Sequence, residues 1–165
     1  MDIEQQFLKL LDNNRRQIAG VCHYYSTIMD APLSEDDLFQ DVLLNLWTSY
    51  PKYIKRPHCH TSTWVYRIAL NVCISHYRKA GKKTQLPLDE QSVELLEDLE
   101  DKEMVSHLYH LIRQLDQEEQ TLIFLYIDEK SHKEIADIMG ISISNVGTRI
   151  QRIKMKLKQM NDGRP

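Results

Sequence analysis

The stretch from Ser131 to Lys158 constrains the fold most, because its pattern is typical of two short helices joined by a tight turn. Ser131 is a good N-cap, and Glu134, three residues later, completes a capping-box pattern. Gly140 stands where the first helix should end, since glycine reaches positive φ without a Cβ clash. Ser144 is the N-cap candidate of the second helix. The apolar residues of that helix recur at helical spacing: Val146, Ile150, Ile153 and Leu157.

The opposite face of the second helix is polar and cationic. It carries Asn145, Thr148, Arg149, Arg152 and Lys156. In a helix-turn-helix, the second helix enters the major groove of duplex DNA and its side chains meet base edges. Amide and guanidinium groups fit the donor and acceptor patterns of adenine and guanine. The pattern predicts a DNA-reading helix-turn-helix, and the alternative is an ordinary helical hairpin with a solvated polar face.

Charge is distributed unevenly along the 165-residue chain, although the net charge is only −3. Residues 51–83 carry 8 Lys or Arg and no Asp or Glu, whereas residues 84–120 carry 11 acidic and 2 basic residues. Residues 121–165 are basic again, with 8 Lys or Arg against 5 acids. Two positive segments separated by a negative one indicate two surfaces that bind a polyanion.

The rest of the chain has the apolar periodicity of helices and predicts an all-α fold. Residues 2–29 predict one helix or a helix pair, and the next helix is expected to begin after Ser34 and to end at Pro51. Residues 51–63 are expected to form a basic loop, followed by a helix that stops near Gly81. Two further helices are expected within residues 103–128.

Several function classes are disfavoured. No apolar run approaches the ~20 residues of a membrane span, and the N-terminus does not resemble a secretory signal, so we expect a cytoplasmic protein. Three cysteines without a CxxC motif do not predict a disulfide framework. We expect no metal site, because His58, Cys59 and His60 are adjacent in one segment and cannot easily surround one ion.

Three stretches of the sequence, taken together, resemble a known family. They are DDLFQDVLLNLW (36–47), STWVYRIALNVCISHYRK (62–79) and LDQEEQTLIFLYIDEKSHKEIADIMGISISNVGTRIQRIKMKLK (115–158). In this order and spacing they resemble the extracytoplasmic-function (ECF) sigma factors, the minimal branch of the main bacterial sigma-factor family. The resemblance implies two small helical domains joined by an acidic linker. The implied bounds are 1–83 for sigma region 2, 84–103 for the linker and 104–160 for sigma region 4, which holds the helix-turn-helix.

The resemblance implies that region 2 binds the clamp helices of the RNA polymerase β′ subunit and reads and melts the minus-ten promoter element. The implied polymerase contacts are Asp37, Gln40, Asp41, Leu44 and Asn45. Trp47, on the same helix, is expected in the core. The implied minus-ten contacts are cations for phosphates and ring or amide groups for an unstacked base: Lys52, Tyr53, Lys55, Arg56, His58, His60, Arg67, Asn71, Arg78 and Lys79.

Region 4 is implied to bind the β flap of the polymerase and to read the minus-thirty-five element with the cationic helix described above. The chain then acts as an alternative sigma factor: it directs the polymerase to specific promoters, has no catalytic residues and needs no cofactor. The family also implies an anti-sigma factor as a partner. Two alternatives stay open: a stand-alone helix-turn-helix regulator of duplex DNA, and a metal-dependent hydrolase built on His58, Cys59, His60 and Cys73, which no ligand spacing supports.

Overall fold

A computed structural model describes residues 2–28, 34–81 and 99–162, which form seven helices. The chain divides into two compact units, Met1–Thr84 and Gln85–Pro165. No helix in the described ranges is long and apolar enough to cross a membrane. Residues 84–98, which are most of the predicted linker, lie outside the described residues.

The first unit is a bundle of three helices that all pack against one another: α1 (Ile3–Ile28), α2 (Glu35–Lys55) and α3 (Thr61–Gly81). The helix predicted for residues 2–29 is therefore a single one. Its core combines aliphatic and aromatic side chains from each helix, including Ile18, Tyr25, Leu38, Leu46 and Val65, all of them fully buried. Burial of this kind provides most of the stability of a small helical domain.

The start of α2 agrees with the sequence, but its end does not. Ser34 is the N-cap, and its Oγ accepts a hydrogen bond from the backbone N–H of Asp37 at 3.1 Å. The expected end at Pro51 is wrong, because the helix continues to Lys55. A proline inside a helix costs about 3 kcal/mol. Tyr50 and Tyr53, which lie on both sides of Pro51, are buried, and the burial of these two rings offsets that cost.

Consequently the predicted basic loop is shorter than residues 51–63. Lys52 and Lys55 lie on the last turn of α2, where positive charge suits the negative end of the helix dipole. The connection to α3 runs only through residues 56–60.

The second unit consists of α4 (Leu99–Arg113), α5 (Gln117–Ile127), α6 (His132–Met139) and α7 (Ile143–Asp162), and α7 packs against the other three. The first residues of α4 thus lie within the predicted linker. The turn between α4 and α5 is held by the fully buried Gln120, whose Nε2 donates to the carbonyls of Ile112 and Leu115 at 3.2 Å each.

The N-cap and the C-cap of α6 follow the sequence pattern, but the predicted capping box is only half formed, because the Glu134 carboxylate lies 3.9 Å from Lys130 Nζ and does not accept from the Ser131 backbone N–H. Ser131 Oγ accepts from the backbone N–H of Glu134 at 3.1 Å, and Gly140 takes φ 71°, the left-handed conformation expected of it. The cap expected at Ser144 is wrong. α7 begins at Ile143, and Ser142 Oγ accepts from the backbone N–H of Asn145 at 3.1 Å, so Ser142 occupies the capping position.

Candidate nucleic-acid interface

The second helix of the helix-turn-helix, α7, turns one apolar row into the core and a polar face outward. Val146, Ile150 and Ile153 are buried. Successive residues are ~100° apart around a helix, so the face opposite this row can be read from the spacing. It holds the exposed residues Ser144, Thr148, Gln151, Arg152 and Met155.

Of the five predicted DNA contacts on α7, Thr148 lies on this outward face, and Arg152 lies at its edge, next to the row of Asn145 and Arg149. The sequence reading missed Gln151, which follows Thr148 by three residues and lies on the same face. Its side-chain amide is of the type that pairs with adenine in the major groove. The helical period alone predicts its place on this face.

The other three predicted residues, Asn145, Arg149 and Lys156, follow one another along a flank of α7. Arg149 Nη1 donates to Glu118 Oε2 at 3.2 Å, and Lys156 Nζ donates to Glu119 Oε1 at 3.0 Å. Both acids belong to the first turn of α5. The structure therefore brings these two cations to carboxylates and not to the outward face. Because such exposed pairs contribute only ~0–1 kcal/mol, a phosphate can replace the carboxylate at little cost.

The side chain of Glu119 is fixed by a second contact besides Lys156. Its carboxylate Oε1 also accepts from the backbone N–H of Asp116 at 3.1 Å, while Asp116 Oδ1 accepts from the backbone N–H of Glu119 at 2.8 Å. This reciprocal capping box fixes the start of α5 beside α7. A shallow pocket of about 180 Å³ between the two helices is lined by both signs of charge, including Glu118, Glu119, Arg149 and Arg152.

In the first unit, a pocket of about 380 Å³ opens where α2 ends and the loop to α3 begins. Its lining combines cations with aromatic and apolar side chains. The residues are Ser49, Lys52, Tyr53, Arg56, His58, Trp64 and Ile68. Four of them, Lys52, Tyr53, Arg56 and His58, are among the predicted minus-ten contacts.

Tyr53 organises this pocket. It is only 8% exposed, and its ring stacks on Trp64 with centroids 4.4 Å apart and planes 12° apart. His58 meets the ring of Tyr53 edge-on at 5.9 Å, and the Tyr53 hydroxyl donates to the Cys59 carbonyl at 2.6 Å. Tyr53 therefore anchors the loop and lines the pocket wall, whereas the sequence predicted it as a free partner for a base. His58 is exposed and is the ring that remains accessible.

The remaining predicted minus-ten residues lie at the end of α2, in the loop before α3, or on α3 itself. Lys55, His60, Asn71, Arg78 and Lys79 are exposed, and Arg67 is half-buried. Arg67, Asn71 and Arg78 recur at helical spacing and so lie along one side of α3. Residues 51–83 contain no acid, so none of these cations has a carboxylate partner within its own segment.

The predicted polymerase contacts of α2 separate into two groups. Asp37, Gln40, Leu44 and Asn45 are exposed, and Leu44 is 62% exposed although it is apolar. Asp41 instead bonds within the unit, since its Oδ2 lies 2.6 Å from Nε2 of His76 on α3. Trp47, expected in the core, contacts Phe7 at 4.9 Å between centroids but remains 40% exposed. It adds an aromatic surface beside Leu44.

The cysteines and histidines named in the hydrolase alternative are not gathered into one site. Cys73 is fully buried. The hydrogen bond of the Cys73 thiol to Cys22, together with burial, raises the pKa of Cys73 far above its ordinary value, so the thiol stays protonated. Within the described ranges, no group of three or more His, Cys, Asp or Glu side chains is placed to hold a metal ion.

Two family models match the chain. "Sigma-70 region 2" matches residues 10–83, and "Sigma-70, region 4" matches residues 107–157. Three relatives from Bacillus subtilis (strain 168) agree. RNA polymerase sigma factor SigZ is 31% identical over 134 residues (78% of this chain, 73% of the relative), and sigma factor YlaC is 29% identical over 134 residues (74% and 75%). The ECF RNA polymerase sigma factor SigW is 27% identical over 176 residues (96% and 91%).

The chain belongs to the ECF sigma factors. It is accordingly an alternative sigma subunit, which directs bacterial RNA polymerase to specific promoters and enables transcription to start. Its partners are the polymerase core and promoter DNA. Because the region 2 model covers most of the first unit, the alternative of a stand-alone duplex-binding regulator is set aside.

Solved structures show the same fold as this sigma factor. The structure of CnrH in complex with the cytosolic domain of CnrY matches with a TM-score of 0.67 and 20% identity, over 98% of this chain and 91% of that one. The sigma factor RpoE in complex with the anti-sigma factor NepR from Bartonella quintana matches with a TM-score of 0.60 and 17% identity, over 99% of both chains.

Proposed function

We propose that this sigma factor divides its work between residues 1–83, which bind the β′ clamp helices and open the minus-ten element, and residues 104–160, which bind the β flap and the duplex minus-thirty-five element. Residues 84–103 connect the two. The observation that carries the proposal is the contrast between an accessible cationic pocket in the first unit and a polar helix face in the second.

The outward face of α7 suits a duplex. A helix with its side chains is ~10–12 Å wide and B-DNA offers a major groove ~12 Å wide. Thr148, Gln151 and Arg152 on this face supply the hydroxyl, amide and guanidinium groups that read base edges. Arg149 and Lys156 approach the flanking phosphates by exchanging their carboxylate partners for them.

The pocket of the first unit suits a single unstacked base. Extracting a base costs a few kcal/mol, which contacts in a pocket and to the phosphates must offset. Lys52 and Arg56 at the pocket supply positive charge, and the exposed ring of His58 supplies an edge for stacking or hydrogen bonding. Each stacked base contributes ~1–3 kcal/mol in single-strand complexes. The wall of Tyr53 and Trp64 holds the loop in position for this contact.

The exposed surface of α2 suits the polymerase. Leu44 and Trp47 place apolar area beside Asp37, Gln40 and Asn45, which is a composition typical of a protein interface with a polar rim. Asp41 remains hydrogen bonded to His76 of α3 and supports this surface by holding α2 against α3.

An anti-sigma factor is the expected antagonist. The sigma factor RpoE, which has the same fold, was solved with the anti-sigma factor NepR, and CnrH was solved with the cytosolic domain of CnrY. We propose that an anti-sigma factor covers the α2 surface of this chain and thereby excludes the polymerase. The sigma factor itself works in the cytoplasm as a non-catalytic subunit without a cofactor.

Open-complex formation tests the role of the pocket. Holoenzyme is assembled with the double variant Lys52→Ala/Arg56→Ala, and permanganate footprinting measures strand opening on promoters mapped by run-off transcription of a genomic library. We expect strand opening to fall while assembly with the polymerase core is unchanged. Arg15→Ala/Arg16→Ala removes the same charge from exposed sites on α1 and serves as the matched control. Equal losses in both variants, or intact opening in the pocket variant, would refute the assignment.

A further inference from the structure

Gly147 is an unexpected residue for the DNA-facing end of α7. Inside a helix a glycine costs about 1 kcal/mol relative to alanine, and this glycine needs no positive φ. It falls in one helical row between Ser144 and Gln151, both of which belong to the outward face. Position 147 therefore leaves the edge of the outward face without a side chain.

The side chain of His132, the first residue of α6, covers that place. A Cβ added to Gly147 would lie 3.7 Å from His132 Cε1 and 3.8 Å from His132 Nδ1, so the imidazole rests against the glycine in ordinary van der Waals contact. His132 is exposed to solvent. Among the residues that the structure describes, no group hydrogen bonds to its ring nitrogens.

We propose that His132 is a specificity-determining residue that reads a base edge of the minus-thirty-five element from the position Gly147 leaves open. The inference rests on the proposed role of α7 in the major groove. A neutral imidazole offers one N–H donor and one nitrogen acceptor. It therefore suits the major-groove edge of a purine, where N7 accepts and, in adenine, the N6 amino group donates.

The absence of a long side chain at position 147 makes this reading possible. A long side chain at position 147 would occupy the space of the ring and displace it, whereas the single methyl of alanine would meet the ring only at ordinary contact distance. Positions 132 and 147, on different helices, are expected to act as one unit. If substitutions at the two positions affect the same base pairs, His132 contacts a base; a histidine that only lies near the DNA would show no such dependence on position 147.

The test uses holoenzyme on a promoter library with a fixed minus-ten element and a randomised minus-thirty-five element, read by sequencing the transcripts. His132→Ala should lower the preference at one or two adjacent base pairs by about fivefold or more, and leave the other positions unchanged. Gly147→Ala should keep the wild-type preferences. Gly147→Arg should alter the same base pairs as His132→Ala, and adding His132→Ala to it should change nothing further.

Three outcomes overturn the proposal. The first is unchanged base preferences in His132→Ala. The second is an equal loss of transcription over all sequences in that variant, which the loss of a phosphate contact would give. The third is additive effects of His132→Ala and Gly147→Arg at different base pairs. Thermal unfolding of each variant identifies any loss of the folded second unit. If the wild-type holoenzyme shows no preference anywhere in the randomised element, the proposed role of α7 fails, and not the assignment of His132 alone.

Discussion

The cations of the two units have different neighbours. In the first unit, residues 51–83 contain no acid, and within the described ranges no carboxylate pairs with Lys52 or Arg56. In the second unit, Arg149 and Lys156 on α7 are paired with Glu118 and Glu119 of α5. Strand opening requires positive charge that is ready for phosphates, whereas groove reading tolerates cations with exchangeable partners, because polar groups on the outward face provide the discrimination.

The largest effect is expected when Lys52 and Arg56 are removed, and it is compared with the removal of Arg149 and Lys156. Lys52→Ala/Arg56→Ala should reduce open-complex formation by about tenfold to a hundredfold and lower the magnitude of its log–log salt slope by about 1.4, the value for two single-strand phosphate contacts. Arg149→Ala/Lys156→Ala should lower the slope by less, because two acids already neutralise these cations. Open-complex formation is measured at several salt concentrations, which gives the salt slope of each variant. Equal slopes for both variants would remove the distinction between the units.

The next prediction compares two arginines of α7: Arg152, exposed at the edge of the outward face, and Arg149, which is paired with Glu118. Arg152→Ala should reduce transcription that depends on the minus-thirty-five element by about tenfold, since a base-directed guanidinium contributes ~1–3 kcal/mol of discrimination. Arg149→Ala should reduce it by less and should alter all sequences alike. Binding to the polymerase core, measured by co-purification, should be intact in both. A larger and base-specific loss in Arg149→Ala would mean that the flank, not the face opposite the core, enters the groove.

The helix-turn-helix was predictable from the sequence, whereas the contacts of Arg149 were not. Ser131, Gly140 and the apolar row of α7 obey local rules of capping and periodicity, so the helix-turn-helix was predictable from them. The partner of Arg149 was not, because Glu118 is 31 residues away in sequence and only the packing of α5 on α7 brings it close. Local rules failed at Pro51 for the same reason, since buried aromatic packing outweighed the proline.

A smaller effect is expected where a carboxylate and a histidine of the first unit are hydrogen bonded. His76→Ala should lower the free energy of unfolding by about 1 kcal/mol, because its bond to Asp41 at 2.6 Å joins α2 to α3 in a partly exposed place. His23→Ala is the matched control: it removes a 3.2 Å pair with Glu35 whose side chains are 65% and 46% exposed, and it should change stability by less than ~0.5 kcal/mol. Urea denaturation measures both. Equal losses would show that the pair with Asp41 is no more structural than an exposed one.

The smallest expected effect tests whether the acids of α5 compete with DNA for α7. Glu118→Gln removes the carboxylate that faces Arg149 but keeps a side chain of the same size. Because the arginine then reaches phosphate without exchanging a charged partner, binding of the holoenzyme to the minus-thirty-five duplex should strengthen by about twofold to fivefold and its salt slope should steepen. Glu134→Gln, an exposed acid on α6 that is 3.9 Å from Lys130, is the control and should change neither quantity. Weaker binding in Glu118→Gln would show that the acid orients Arg149 for DNA instead of competing with it, and the cations of α7 would then depend on their carboxylates for their function.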